Sequence, residues 1–215
     1  NLCSSTLTGE DSFYDFINNV GYNGRVYLTG EERGDESRGF AINMEGEAVM
    51  LPGVGLASHE NILNLPSKNR LTSLISLEDG GLLKSQLWLY TGLKKRDGKW
   101  YEKAGLTSGK SFVLASKDSS IKNDLDLRMR LSKGDKLDVI FKEVDTLKSG
   151  KEQNLEAEKI GLSFSRIEDG VFDELNNDLY FAVTESSNFK ISNTINPGEK
   201  LVKRDGGMIA KLHFK

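Results

Sequence analysis

Short apolar runs recur along the chain between clusters of Gly, Asn, Asp and Ser, and many of them alternate apolar with polar positions. That period-two pattern, punctuated by turn residues, predicts strands and not helices. Strands are expected near 25–29, 39–44, 47–51, 62–65, 71–77, 86–91, 111–116, 137–142, 162–166, 179–184 and 207–214. Helical signals are few. Asp11-Ser-Phe-Tyr-Asp-Phe-Ile17 offers an N-cap with apolar spacing, and Asn154-Leu-Glu-Ala-Glu-Lys159 predicts a turn or two. The fold class is therefore all-β.

Three of the predicted strands end in acid and are followed by a second strand. They are Val26-Tyr-Leu-Thr-Gly-Glu-Glu32 before Arg38-Gly-Phe-Ala-Ile-Asn-Met44, Leu74-Ile-Ser-Leu-Glu-Asp79 before Ser85-Gln-Leu-Trp-Leu-Tyr90, and Leu179-Tyr-Phe-Ala-Val-Thr-Glu185 before Gly207-Met-Ile-Ala-Lys-Leu-His-Phe214. The 47 positions from Glu31 to Glu78 match the length of a propeller blade, a four-stranded meander. The next interval is about twice as long and holds a charged stretch, 117–160, that reads as a further blade or an insertion. Residues 1–215 are expected to form one β-propeller domain of about four blades, or part of a larger, incomplete one.

Composition narrows the function classes. With 37% hydrophobic and 28% charged residues the chain has material for a sizeable core, and no apolar run is long enough to span a membrane. The net charge of -3 argues against a nucleic-acid surface. Lys94-Lys95-Arg96-Asp97-Gly98-Lys99 is the one basic cluster, and its Asp-Gly centre predicts a solvated hairpin turn. A single cysteine, Cys3, excludes an internal disulfide. The first residues carry no export signal.

Acidic residues cluster at strand ends: Glu31 and Glu32, Glu60 in Ser58-His-Glu-Asn61, Glu78 and Asp79, Glu168 and Asp169, and Glu185. A single acid after a strand is ordinarily a solvated turn residue, but recurrence suggests carboxylates gathered at one end of a channel. Gathered carboxylates repel unless cations neutralise them, and hard cations such as calcium take many oxygen ligands. Arg166, two residues before Glu168, suits bidentate phosphate binding or pairing with a neighbouring carboxylate. His59 and His213 read as structural hydrogen-bonding residues. Zinc-module, α/β-hydrolase and P-loop motifs are absent from the sequence.

The same segments resemble the PhoX-type alkaline phosphatase family. The matching pieces are Leu2-Cys-Ser-Ser-Thr-Leu7, Val26-Tyr-Leu-Thr-Gly-Glu-Glu32, Gly55-Leu-Ala-Ser-His-Glu-Asn61, Ser76-Leu-Glu-Asp79, Gln86-Leu-Trp-Leu-Tyr-Thr-Gly92, Ala104-Gly-Leu-Thr-Ser-Gly-Lys110, Phe164-Ser-Arg-Ile-Glu-Asp-Gly170 and Gly206-Gly-Met-Ile-Ala-Lys-Leu-His-Phe214, in family order. The resemblance implies a propeller longer than this chain, with iron and calcium in its channel, that hydrolyses small phosphate monoesters as an exported (periplasmic or extracellular) monomer. It implies that Glu60 and Glu168 are iron ligands, that Glu31, Glu32 and Asp79 are further acidic ligands, and that Arg166 clamps the substrate phosphate, with Glu168 and Arg166 carrying the catalysis. Members carry Cys directly before the Glu pair, where this chain has Gly30; Cys3 is the remaining source of a thiolate. That departure keeps a second expectation open, a non-catalytic propeller or interaction module that binds calcium alone.

Overall fold

The computed structural model describes residues 2–184 and 207–215. Its main framework is three antiparallel meanders, each laid down in chain order from one edge strand outward. The first comprises β1 (Leu2–Leu7), β4 (Val26–Glu31), β5 (Gly39–Asn43) and β6 (Ala48–Met50), with a small hairpin of β2 (Phe13–Asp15) and β3 (Val20–Tyr22) inserted after β1. The second runs through β7 (His59–Leu65), β8 (Leu71–Glu78), β9 (Leu87–Leu93), β10 (Lys110–Ser116) and β11 (Val139–Val144). The third contains β12 (Ile167–Asp173), β13 (Asp178–Val183) and β14 (Met208–His213).

The second meander is covered on both faces, and its sequence shows why. Ile62, Leu74 and Tyr90 join Val26, Leu28 and Ala41 of the first meander in one core. Leu63, Leu65, Ile75, Leu77 and Leu87 join Ile167, Leu179, Phe181 and Val183 of the third in another. Adjacent residues of a strand point to opposite faces, so a sheet buried on both sides must read as a continuous apolar run. The first meander, covered on one face, alternates: Val26 and Leu28 are buried and Tyr27 between them is exposed.

The stretch 117–160 does not make a separate sheet. It contributes β11, which extends the second meander, and the helices α2 (Asp124–Arg130) and α3 (Gly150–Ile160). Ser149 and Glu152 cap α3 reciprocally. Asn154 Nδ2 donates to Leu56 O at 2.7 Å, and Gln153 Oε1 accepts from Leu56 N at 2.9 Å, fixing the helix against the segment leading into β7.

Three sequence expectations are corrected. Asp11–Ile17 is not helical: Phe13 and Asp15 both point inward from a strand, and Asp15 Oδ1 accepts from the backbone N–H groups of Ile17 and Asn18 to close the turn to β3. Residues 162–166 are not a strand. Phe164 exchanges two backbone hydrogen bonds with Ser85, and Arg166 then takes a left-handed conformation, φ 61°, before β12 begins. The basic cluster is a solvent-exposed loop over residues 95–99, as expected, but it is no hairpin turn. Lys94 is fully buried, with Nζ donating to Ser67 O and Asn69 O, and the segment leads into a short helix, α1 (Trp100–Lys103), inserted between β9 and β10.

Candidate metal centre

The first strands of the three meanders lie side by side, with β7 between β1 and β12. Each carries a β-bulge near its start. In β7, His59 pairs with Glu78 and Asn61 with Leu77, so Glu60 is the extra residue. In β12, Ile167 pairs with Val183 and Asp169 with Ala182, leaving Glu168 extra. In β1, Leu2 pairs with Glu31 and Ser5 with Thr29, so Cys3 and Ser4 stand opposite the single residue Gly30. A bulge frees one residue from the ladder and re-aims its side chain. Cys3, Glu60 and Glu168 therefore hold the same position, second in the first strand of each meander.

The second strand of each hairpin adds to this. Leu2 and His59, the first residues of β1 and β7, pair with Glu31 and Glu78, so Glu32 and Asp79 are equivalent positions just past the strand ends. Because neighbouring side chains diverge, only one acid of each pair can reach the bulges. Cys3 Sγ, a Glu32 oxygen and a Glu60 oxygen lie within 4.8 Å of one another. Cys3 Sγ sits 3.1 Å from both Glu60 oxygens, and Ser4 Oγ donates to Glu60 Oε1 at 2.9 Å. Arg166 donates from Nε and Nη2 to the two oxygens of Asp79 at 3.0 and 2.9 Å, and its Nη2 lies 2.7 Å from Glu168 Oε1.

The charges explain the electrostatics. Burial, then the neighbouring Glu60 and Asp79 carboxylates, raise the pKa of Glu32 against the hydrogen bond from Cys3. Burial and the hydrogen bonds to Glu60 and Glu32 push the Cys3 thiol up to about 12. Arg166 is shifted upward, chiefly by Asp79. The group thus holds four carboxylates, of Glu32, Glu60, Asp79 and Glu168, and one guanidinium, paired with Asp79 and Glu168, a surplus of negative charge that a cation would offset.

The remaining expected residues divide cleanly. Glu31 is not in the cluster: it takes a bidentate pair from Arg38, 2.8 Å from both Nε and Nη2. Glu78 turns inward, Oε2 accepting from Gln86 N and Trp88 Nε1 at 2.9 Å, and burial pushes its carboxyl up to about 8. His59 is fully buried between Ser76 Oγ and Gly55 O, and burial lowers its pKa to about 4. His213 Nδ1 is 2.9 Å from Asp178 Oδ1. Glu185, the acid of the third repeat, lies outside the described residues.

Gly30 is a requirement of packing. A Cβ there would lie 2.3 Å from His59 Cβ and 2.9 Å from His59 O, because β4 and β7 approach closely at this point. No cysteine side chain fits, and the thiol beside the carboxylates comes from Cys3. The sequence reading did not single out Ser4, Thr6 or Asn61. Thr6 Oγ1 donates to Asn61 Oδ1, and Asn61 Nδ2 donates to Asp169 Oδ1, each at 3.0 Å, tying the three first strands together beside the cluster. Their signal was proximity in sequence to Cys3, Glu60 and Glu168.

The donor set of one sulfur and several carboxylate oxygens fits metals on both sides of the hard–soft division: carboxylates suit calcium, and a thiolate adds affinity for a transition metal. No family model, curated protein or solved structure matches the chain. Among the described residues no helix is long and apolar enough to cross a membrane.

Proposed function

We propose that this chain is a metal-dependent phosphomonoesterase, or a part of one, built as a β-propeller whose channel carries the cluster of Cys3, Glu32, Glu60, Asp79, Arg166 and Glu168. The observation that carries the reading is the threefold bulge. Packing alone does not account for bulges that set Cys3, Glu60 and Glu168 at the second position of the first strand in three successive meanders, and a shared ligand does. Meanders running from a first strand outward, with first strands adjacent, also support propeller blades.

In this reading Glu60, Glu168, Glu32, Asp79 and the Cys3 thiolate hold calcium and iron. Bound there, such ions supply Lewis-acid stabilisation of charge on phosphoryl oxygens. Arg166 presents two N–H groups in the fork that now spans Asp79, the geometry a phosphate also accepts. Asp79 and Glu168 hold that fork in place. Ser4 orients Glu60 and the Thr6–Asn61–Asp169 chain fixes strand spacing, so the ligands are held by rigid elements. Location in the periplasm or outside the cell rests on the family resemblance alone.

One observation favours a second reading. Arg166 is engaged by Asp79 and Glu168 as a charge compensator. A non-catalytic calcium-binding propeller, with Arg166 as a structural counter-charge, uses the same contacts. The test is hydrolysis of p-nitrophenyl phosphate with calcium and iron supplied, alongside metal analysis. Metal-dependent turnover that Glu168→Gln and Arg166→Ala abolish supports the phosphatase. Bound calcium with raised melting temperature and no turnover selects the binding module.

A further inference from the structure

The end of the sheets opposite the metal cluster carries a basic surface that the phosphatase reading leaves unused. β7 runs from His59, beside the cluster, to Leu65, and β9 ends level with it at Leu93, so the turn 66–70 and the segment 94–103 meet at that far end. The β2–β3 hairpin joins them there: Gly21 N donates to Lys95 O at 3.0 Å, and Lys94 N to Arg70 O at 2.9 Å. Buried Lys94 ties the group from within, its Nζ donating to Ser67 O and Asn69 O at 2.6 and 2.9 Å.

The charge of this end is opposite to that of the chain. The chain carries a net charge of -3, yet Lys68, Arg70, Lys95, Arg96 and Lys99 are all exposed here, with Lys103 half-buried beside them. Against them stand Asp11, Asp97 and Glu102, and Glu102 Oε2 already accepts from the Lys99 backbone N–H at 2.8 Å. The hairpin tip adds two adjacent apolar side chains, Phe16 at 60% exposure and Ile17 at 86%. Leaving both in water forgoes free energy that an apolar phase would return. A turn can enter such a phase only if its backbone donors are satisfied by the protein. Asp15 does this, Oδ1 accepting from Ile17 N and Asn18 N at 3.0 and 3.1 Å and Oδ2 from Asn18 Nδ2 at 2.7 Å.

An apolar tip beside a cluster of cations matches a bilayer with anionic headgroups, where apolar side chains enter the acyl boundary and cations meet phosphates. Nucleic acid matches the cations alone, because Ile17, the more exposed of the pair, has no ring to stack on a base.

Independently of the phosphatase reading, we propose that this end docks on a membrane of anionic phospholipid, with Phe16 and Ile17 inserted and Lys95, Arg96 and their basic neighbours on the headgroups. The seven residues of β7 then hold the metal cluster about 20 Å from the bilayer, at the end away from it.

The experiment is sedimentation of the full chain with vesicles of phosphatidylcholine alone or of equal parts phosphatidylcholine and phosphatidylglycerol, with polyuridylate binding measured in parallel. The expected result is binding to the anionic vesicles alone, weakened at least about tenfold by Lys95→Glu with Arg96→Glu and by Phe16→Ser with Ile17→Ser. Both pairs are exposed, so the melting temperatures of these variants should match the wild type. In Phe16→Trp the introduced indole should shift its emission to the blue on anionic vesicles and be quenched by brominated lipid. No binding to anionic vesicles, equal binding to both kinds, or binding that Phe16→Ser with Ile17→Ser leaves unchanged overturns the proposal. Polyuridylate binding that Lys95→Glu with Arg96→Glu abolishes, without vesicle binding, overturns it in favour of a nucleic-acid surface.

Discussion

Glu78→Gln should change how the stability of the metal-free protein depends on pH. Glutamine keeps the shape, and its carbonyl can accept from Gln86 N–H and Trp88 Nε1–H as Oε2 does now. In the native state burial pushes the Glu78 carboxyl up to about 8 from an ordinary 4.5. Below the unfolded value both states are protonated, and the stabilising preference for the proton is fully present. Between the two values the unfolded chain ionises while the native state keeps its proton, so stability falls by about 1.4 kcal/mol per pH unit. Above the folded value both are ionised and the loss is complete. From pH 5 to pH 8 the wild type should therefore lose about 3 kcal/mol that the Gln variant retains. Glu32 and His59 also titrate with shifted pKa values, but both proteins share them and they cancel in the difference. Urea unfolding in EDTA, at half-unit steps across this range, measures it. A difference between variant and wild type that stays constant within about 0.5 kcal/mol, or that shrinks as pH rises, refutes the assignment of a proton to buried Glu78.

Gly30→Ala should cost about 1–3 kcal/mol in urea unfolding, since its Cβ meets His59 Cβ at 2.3 Å, and unchanged stability would mean β4 and β7 are not packed this closely. Cys3, pushed up to about 12, should react with iodoacetamide at pH 8 at least about a hundredfold more slowly in the metal-free native protein than in urea, as followed by mass spectrometry. Equal rates would place the thiol away from Glu60 and Glu32. Phe164→Ala should destabilise by about 3–5 kcal/mol, because Phe164 is buried edge-on against Phe181 with ring centroids 5.4 Å apart; a loss under about 1 kcal/mol would contradict that core.

Much of the strand content was legible because burial leaves a period in the sequence. Val26-Tyr-Leu alternates and Ile62-Leu63 does not, and each pattern reports how many faces of its sheet are covered. Where local pattern and tertiary demand diverged, the reading failed. Asp11–Ile17 has a capping residue and apolar spacing, yet buried Asp15 is satisfied by turn N–H groups that only a hairpin provides. Leu162 and Phe164 look like strand residues because both are buried, but they cover a core from a segment that ends in left-handed Arg166.

The acids were visible in the sequence; their division was not. Glu31 and Glu32 are adjacent, as are Glu78 and Asp79, and nothing local says which of each pair joins the cluster. Strand register decided it, since pairing Glu31 with Leu2 and Glu78 with His59 turns Glu32 and Asp79 toward the bulges. Cys3 and Glu60 are 57 positions apart, and only the packing of β1 on β7 brings sulfur to carboxylate. The sequence determined the strands, the turns and the acidic residue types, because those follow from local preference and solvation. Which acids converge and why position 30 must be glycine were decided by tertiary structure, because each depends on contacts between meanders.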